Sequence, residues 1–168
     1  MKLKLLKYRT RSLAKSNKAI RTSLPYKQAL SIGVIFTVED RQKHDEIKEF
    51  VRKLEHDGKH VKVMSFLPRN KDNYEFLFDF FTDKDVSFWG NITSDSANHF
   101  ADSTFDFLFY VDTNPNPLVL NIIARSKARC RVGKFWDNNI AYFEFMLLIQ
   151  NGTRALIDGL YKYIHGLR

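Results

Sequence analysis

Residues 105–131, FDFLFYVDTNPNPLVLNIIARSKARCR, constrain the fold more than any other stretch. Residues 105–111 are a nearly continuous apolar and aromatic run of strand length, broken only by Asp106, as in a strand covered on both faces. Asp112-Thr-Asn-Pro-Asn-Pro stops it. Asn116 is a good N-cap and Pro117 suits the first helical position, so 118–124 are expected to turn back across the sheet as a helix. Residues 128–135 then read as the next parallel strand, because a right-handed crossover returns the chain to the same sheet.

The rest of the chain extends this pattern. Residues 31–38 (SIGVIFTV) read as a buried strand, Asp40 as the cap of a helix, and Ile47, Phe50, Val51 and Leu54 as its apolar face, ended by Asp57-Gly58. Residues 60–67 complete a βαβ unit. The aromatic run 74–81 (YEFLFDFF) fits either element; Phe76, Leu77 and Phe80 have helical spacing, and a helix is expected. Residues 86–89 read as a short strand, and Ser94 caps a short helix with Ala97, Phe100 and Ala101 inward. A loop at 134–139 leads to a last core strand at 140–149. Asn151-Gly152-Thr153 opens a terminal helix carrying Leu156, Ile157, Leu160 and Ile164 on one face. Alternating strands and helices predict an α/β three-layer sandwich on a mainly parallel, doubly wound sheet of about five strands, Rossmann-like or flavodoxin-like.

Charge divides the chain differently. Of 27 Lys and Arg, nine fall in residues 1–27, which hold no acidic residue; the remainder carries 18 basic against 19 acidic residues. The expected organisation is a basic N-terminal arm, 1–27, followed by a single, nearly neutral α/β domain, 28–168. Ser, Thr and Asn interrupt any clean apolar stripe in the arm, so it is expected to be extended or partly helical and to order fully on a partner. Such polarity fits a polyanion. Candidate nucleic-acid-binding residues are Lys2, Lys4, Lys7, Tyr8, Arg9, Arg11, Lys15, Lys18, Arg21 and Lys27, with Tyr8 available to stack on a base. Arg129, Arg131 and Lys134 form a second cluster, beside Arg125 and Lys127.

Several chemistries lack their residues. The turn after the first strand, Val38-Glu39-Asp40-Arg41-Gln42, has no glycine to bring backbone against a pyrophosphate, and Gly33 lies inside the strand, so no dinucleotide or P-loop cofactor is expected. His56 and His60 straddle the Asp57-Gly58 break, and no Cys or carboxylate cluster completes a metal set. Cys130, the single cysteine, sits in a predicted buried strand as an inert thiol, which fits a reducing compartment. Neither a G-x-S-x-G elbow nor another catalytic signature occurs. A ligand crevice in an open parallel sheet lies beyond the strand carboxyl ends, where Asp112, Thr113, Asn114 and Asn116 fall beside a helix N-terminus; turn chemistry explains the same residues without a ligand. No secretory h-region or apolar run of spanning length is seen, and a cytoplasmic protein is expected.

The segments FDFLFYVD, ARSKARCRVGKFWD, IAYFEFMLLI and LIDGLYKYI resemble a family of small uncharacterised α/β proteins from Bacteroidota, over roughly residues 28–166. That likeness implies the fold and no established activity. FDFLFYVD through ARCRVGKF also looks like the N-terminal half of heptosyltransferase-type glycosyltransferases, but a second, nucleotide-sugar half, on which that chemistry depends, is not expected here, so no catalytic residue is carried over. The expected function is non-enzymatic binding of RNA, ribosomal RNA foremost, by a ribosome-associated or ribosome-assembly protein, with ribosomal proteins as further partners. The alternatives are a nucleotide or sugar-phosphate site, transferase-like in kind, in the crevice after the central strand, and an adaptor for an acidic protein or an anionic membrane surface.

Overall fold

A computed structural model describes residues 1–150 and 152–167. Six strands, β1 (Ser31–Thr37), β2 (His60–Phe66), β3 (Asp79–Phe81), β4 (Phe107–Tyr110), β5 (Cys130–Lys134) and β6 (Phe145–Leu147), form one all-parallel sheet in the order β3-β2-β1-β4-β5-β6. The helices are α1 (Lys2–Ser16), α2 (Arg41–His56), α3 (Asp95–Asp102), α4 (Pro117–Arg125) and α5 (Thr153–His165). Sequence order along the sheet reverses between β1 and β4, which makes that gap the topological switch point of a Rossmann-like three-layer sandwich.

Local chemistry fixes the elements. Asp40 accepts from the Lys43 backbone N–H and caps α2; Asn116 accepts from Leu118 and caps α4, with Pro117 following; Ser94 accepts from Ala97 and caps α3. Every residue of β4 is buried, matching its unbroken apolar run. One core lies on the α3/α4 side around Phe105, Leu108 and Ile123; the other lies on the α2/α5 side around Phe36, Phe50, Phe109 and Leu156. Gly33 allows the close approach of β1 to its cover, since a Cβ there would lie 2.7 Å from the Phe105 ring.

Four expectations are corrected. The sheet has six strands rather than five, the extra one being β3, where a helix was expected across 74–81. Glu75 and Phe76 adopt left-handed φ values of 59° and 44°, which breaks a helix at its start, and pairing of Asp79–Phe81 with Met64–Phe66 decides the rest. Glu75 is held in that conformation by Arg41 and Lys48, at 3.0 and 2.7 Å. Residues 86–89 form no sheet strand; Val86 makes only an isolated antiparallel bridge to Ile92. The expected strand 140–149 is a 3-10 turn, Asp137–Tyr142, followed by the short edge strand β6. Asn151 and Arg168 lie outside the described residues.

The fourth correction concerns the N-terminus. Residues 2–16 are a regular helix packed chiefly on α4, and not an arm awaiting a partner. Leu6 and Thr10 are buried, and Leu13, Ala14 and Asn17 are half-buried on the same helical face. The cause lies in α4, whose residues Val119 to Ala124 are all buried: a helix apolar all round needs cover on two sides. The sheet covers one side and α1 the other. Asn121, the one polar residue in that run, donates to Thr10 Oγ1 at 3.0 Å, and the Asn17 amide reaches the Ala124 and Ser126 carbonyls, both at 3.0 Å. Gly90, at φ 77°, lies so close to α1 that a Cβ would be 2.7 Å from the Leu6 backbone N.

Candidate functional site

The switch point is where an open parallel sheet ordinarily receives a ligand, and the N-termini of α2 and α4 both approach it. Here it is filled by the protein's own groups. Asp112, 1% exposed, accepts from the Thr37 backbone N–H at 2.8 Å, from Thr37 Oγ1–H at 2.7 Å and from Lys43 Nζ at 2.6 Å. Lys43, also buried, donates to Glu39 at 2.8 Å. The Asn116 side chain donates to Thr37 Oγ1 at 3.0 Å, and its backbone N–H to Tyr110 Oη at 2.9 Å. Burial first, and then the Asp112 charge, push the Tyr110 phenol well above its ordinary pKa, so it stays neutral. The Asp112 carboxylate thus lies inside the switch point, with its charge met by Lys43.

Of the expected crevice residues, then, Asp112 and Asn116 are joined in this network, and Thr113 is tied by its carbonyl to Lys134 Nζ at 3.0 Å. Asn114 is exposed beside them. The sequence reading missed Lys43, Thr37 and Glu39. A signal existed in Lys43, a cation in the first turn of a helix where the dipole disfavours it, which asks for a carboxylate nearby.

The basic residues are sorted by the fold into used and unused. Arg131 is removed from the interface set, because it is buried and binds Glu144 through Nε at 3.1 Å and Nη2 at 2.7 Å, with Nη1 on the Ile123 carbonyl. Arg21 joins the same carboxylate at 3.6 Å and the Ala128 carbonyl. Its guanidinium pKa is lowered, first by burial and then by Arg131. Arg129 faces Asp106 at 3.7 Å, at the opposite end of β5 from Lys134. Lys27 lies apart, near Tyr26 and His165.

What remains is gathered on α1. Lys4, Tyr8, Arg11 and Lys15, spaced i, i+4, i+7 and i+11, form one exposed stripe opposite the buried face. Lys7 and Lys18 border it on one flank. On the other flank Lys2 donates to the Val86 carbonyl at 3.2 Å and Arg9 to Asn91 Oδ1 at 2.7 Å, which fastens the loop holding Phe88 and Trp89 beside the helix. These two rings, 52% and 64% exposed, pack edge to face with centroids 5.4 Å apart. Among the described residues no carboxylate lies within salt-bridge distance of Lys2, Lys4, Lys7, Arg9, Arg11, Lys15 or Lys18. Phe88 and Trp89 were not expected at a surface; the Gly90-Asn91 turn after them is the feature that could have indicated it.

Burial pushes the Cys130 thiol up to about 12, so it is no nucleophile. No cluster of three or more metal-ligating side chains occurs among the described residues, and no helix there is long and apolar enough to cross a membrane.

Fold and rim together define a Rossmann-like α/β protein whose switch point is closed by an internal ion pair and whose basic helix is docked outside the sandwich. The chain belongs to the family of unknown function DUF6913, whose model matches residues 2–167 and so takes in α1 as well as the sandwich. No curated protein and no solved structure matches it.

Proposed function

We propose that the protein is a non-enzymatic RNA-binding protein that grips the phosphate backbone with the outer face of α1, structured ribosomal RNA being the leading target and ribosome assembly the setting. The observation carrying this reading is the stripe Lys4, Tyr8, Arg11 and Lys15, three cations and an aromatic ring on a fixed helix, with no carboxylate among the described residues to neutralise the cations. Fixed cations lose less freedom on binding than those of a loose tail, and each phosphate they neutralise releases counterions. Exposed Tyr8, Phe88 and Trp89 offer π-faces along the same surface, on which unpaired bases stack. The switch point supports an enzyme or sugar-phosphate reading less well, since its charges are already paired.

The test is the salt dependence of binding to a structured ribosomal RNA fragment. Replacing Lys4 and Lys15 together by Glu should flatten the log–log slope by about 1.4 to 1.8, at roughly 0.7–0.9 per phosphate contact. An unchanged slope would overturn the assignment. Preferential binding of the wild-type protein to anionic vesicles or to an acidic polypeptide, with RNA failing to compete, would transfer the surface to the adaptor reading.

A further inference from the structure

A second concavity lies beside the plugged switch point, also at the carboxyl ends of the strands. It is about 400 Å³, bounded by α1, by the proline turn that opens α4 and by the 3-10 turn Asp137–Tyr142. That volume accommodates one nucleotide. Its residues divide into three chemistries. Lys7 and Arg11, one helical turn apart, supply positive charge at the mouth, and no Asp or Glu lines the cavity. Pro115, Pro117 and Leu120 make an apolar wall. Asn139 and Tyr142 lie deeper, each 9% exposed; among the described residues neither the Asn139 amide nor the Tyr142 hydroxyl has a protein hydrogen-bond partner, and neither is sealed from solvent, so both are open to the cleft. Thr10, which also reaches the cavity, is occupied by the Leu6 carbonyl and Asn121.

Two polar groups that share one cleft and bond to no other protein group are free to meet a polar ligand there. An amide offers both donor and acceptor, the complement of a nucleobase edge, while the proline and leucine wall suits the flat face of a base and would be wasted on sugar hydroxyls. The cations at the mouth suit a phosphate. We infer that this cleft binds a nucleoside monophosphate unit, with the base against Asn139, Tyr142 and the apolar wall and the phosphate on Lys7 and Arg11. The unit comes either free or as one residue of an RNA strand. The inference shares α1 and its Arg11 with the proposed function, but it rests on Lys7 and Arg11 where they face the 3-10 turn and not on Lys4, Tyr8 or Lys15.

The four ribonucleoside monophosphates, inorganic phosphate and ribose 5-phosphate should be titrated into the full chain by calorimetry. At least one nucleotide should bind saturably and about tenfold or more tighter than either phosphate control. Asn139→Ala and Tyr142→Phe should each weaken it by up to about tenfold, the order expected when one hydrogen bond to the ligand is lost. Lys7→Glu with Arg11→Glu should abolish it, and Lys4→Glu with Lys15→Glu should leave it intact. That last pair separates the two readings, because it removes the RNA contact of the outer stripe and spares the cleft. Competition between the nucleotide and an octaribonucleotide identifies a strand residue as the occupant; simultaneous binding identifies a free nucleotide. Tyr142→Phe keeps the ring, so an unaltered melting temperature certifies its fold. Four flat nucleotide titrations, phosphate binding as tightly as any nucleotide, or affinity unmoved by Tyr142→Phe and Asn139→Ala together would overturn the inference.

Discussion

Two groups of charge lie against α4, one at its N-terminus and one along the helix that covers it, and they are treated in opposite ways. At the switch point one lysine faces two carboxylates, Lys43 with Asp112 and Glu39, and every partner is within hydrogen-bond distance. On α1 six cations, and Lys18 just after it, face no carboxylate at all among the described residues. In the first group Lys43 and Asp112 are buried, where an unmatched charge is prohibitively costly, so their pairing is dictated by the fold, with the half-exposed Glu39 joining from the rim. The second is in water, where unmatched charge costs little, and it even opposes its own helix: α1 has no acidic residue in its first turn and carries Lys2 and Lys4 at the positive end of the dipole. Charge that works against the element bearing it is better explained by a partner than by stability. The comparison teaches that the switch point of a parallel sheet can have its charges fully paired, while a helix outside the sandwich leaves its charges unmet.

The largest expected effect tests whether the switch point is truly closed. Lys43→Met removes the cation and leaves Asp112 buried with two hydrogen bonds and no counter-charge, which should cost about 3–5 kcal/mol in urea unfolding. Adding Asp112→Asn to Lys43→Met should recover most of that loss, because the uncompensated charge is then gone. A single-variant cost under about 1 kcal/mol, within the range of surface ion pairs, would mean that water enters the crevice and that the contrast with α1 is false.

A smaller effect tests whether α1 belongs to the folded body. Leu6 is fully buried between α4 and the Gly90 turn, so Leu6→Ala should cost about 2–5 kcal/mol. Gly90→Ala should also destabilise, through its positive φ and through contact with the Leu6 backbone. Were residues 1–27 a loose tail, both changes would leave the unfolding curve in place, and the cations would lose the rigidity on which the proposed RNA contact relies. Amide exchange within Lys2–Ser16 gives an independent reading, as protection there should be lost with Gly90→Ala.

What was legible in the sequence is what local chemistry determines alone. Asp40, Ser94 and Asn116 cap helices where expected, Asp57-Gly58 ends α2, and the run through Phe107–Tyr110 is the buried central strand. What was not legible depends on neighbours distant in sequence. Phe80 and Leu77 have helical spacing, yet left-handed Glu75 and pairing with β2 make the segment a strand. Arg131 reads as a surface cation until Glu144, 13 residues on, folds over it. The docking of α1 was half written in α4: the all-round apolar run Val119 to Ala124 demanded an outer cover, but nothing local named residues 2–16 as its source. At the crevice, Asp112 and Asn116 were found by topology and Lys43 was not, because its role exists only once α2 returns across β1.

The smallest effect has the most diagnostic sign. Lys4 is the third residue of α1, exposed, with no carboxylate near it, and its positive charge opposes the helix dipole. Lys4→Glu should therefore stabilise the protein by about 0.3–1 kcal/mol at low ionic strength, and the gain should shrink as salt screens it. For a chain of this length that raises the melting temperature by about 1–3 °C. The same change should weaken RNA binding, since it subtracts one phosphate contact and adds a repulsive charge. Stability and affinity must then move in opposite directions. If both fall together, Lys4 contributes to an intramolecular contact and the stripe is structural. If stability rises while RNA affinity holds, the outer face of α1 is not the RNA surface, and the flank carrying Lys7 and Arg11 is left as the place where this protein meets phosphate.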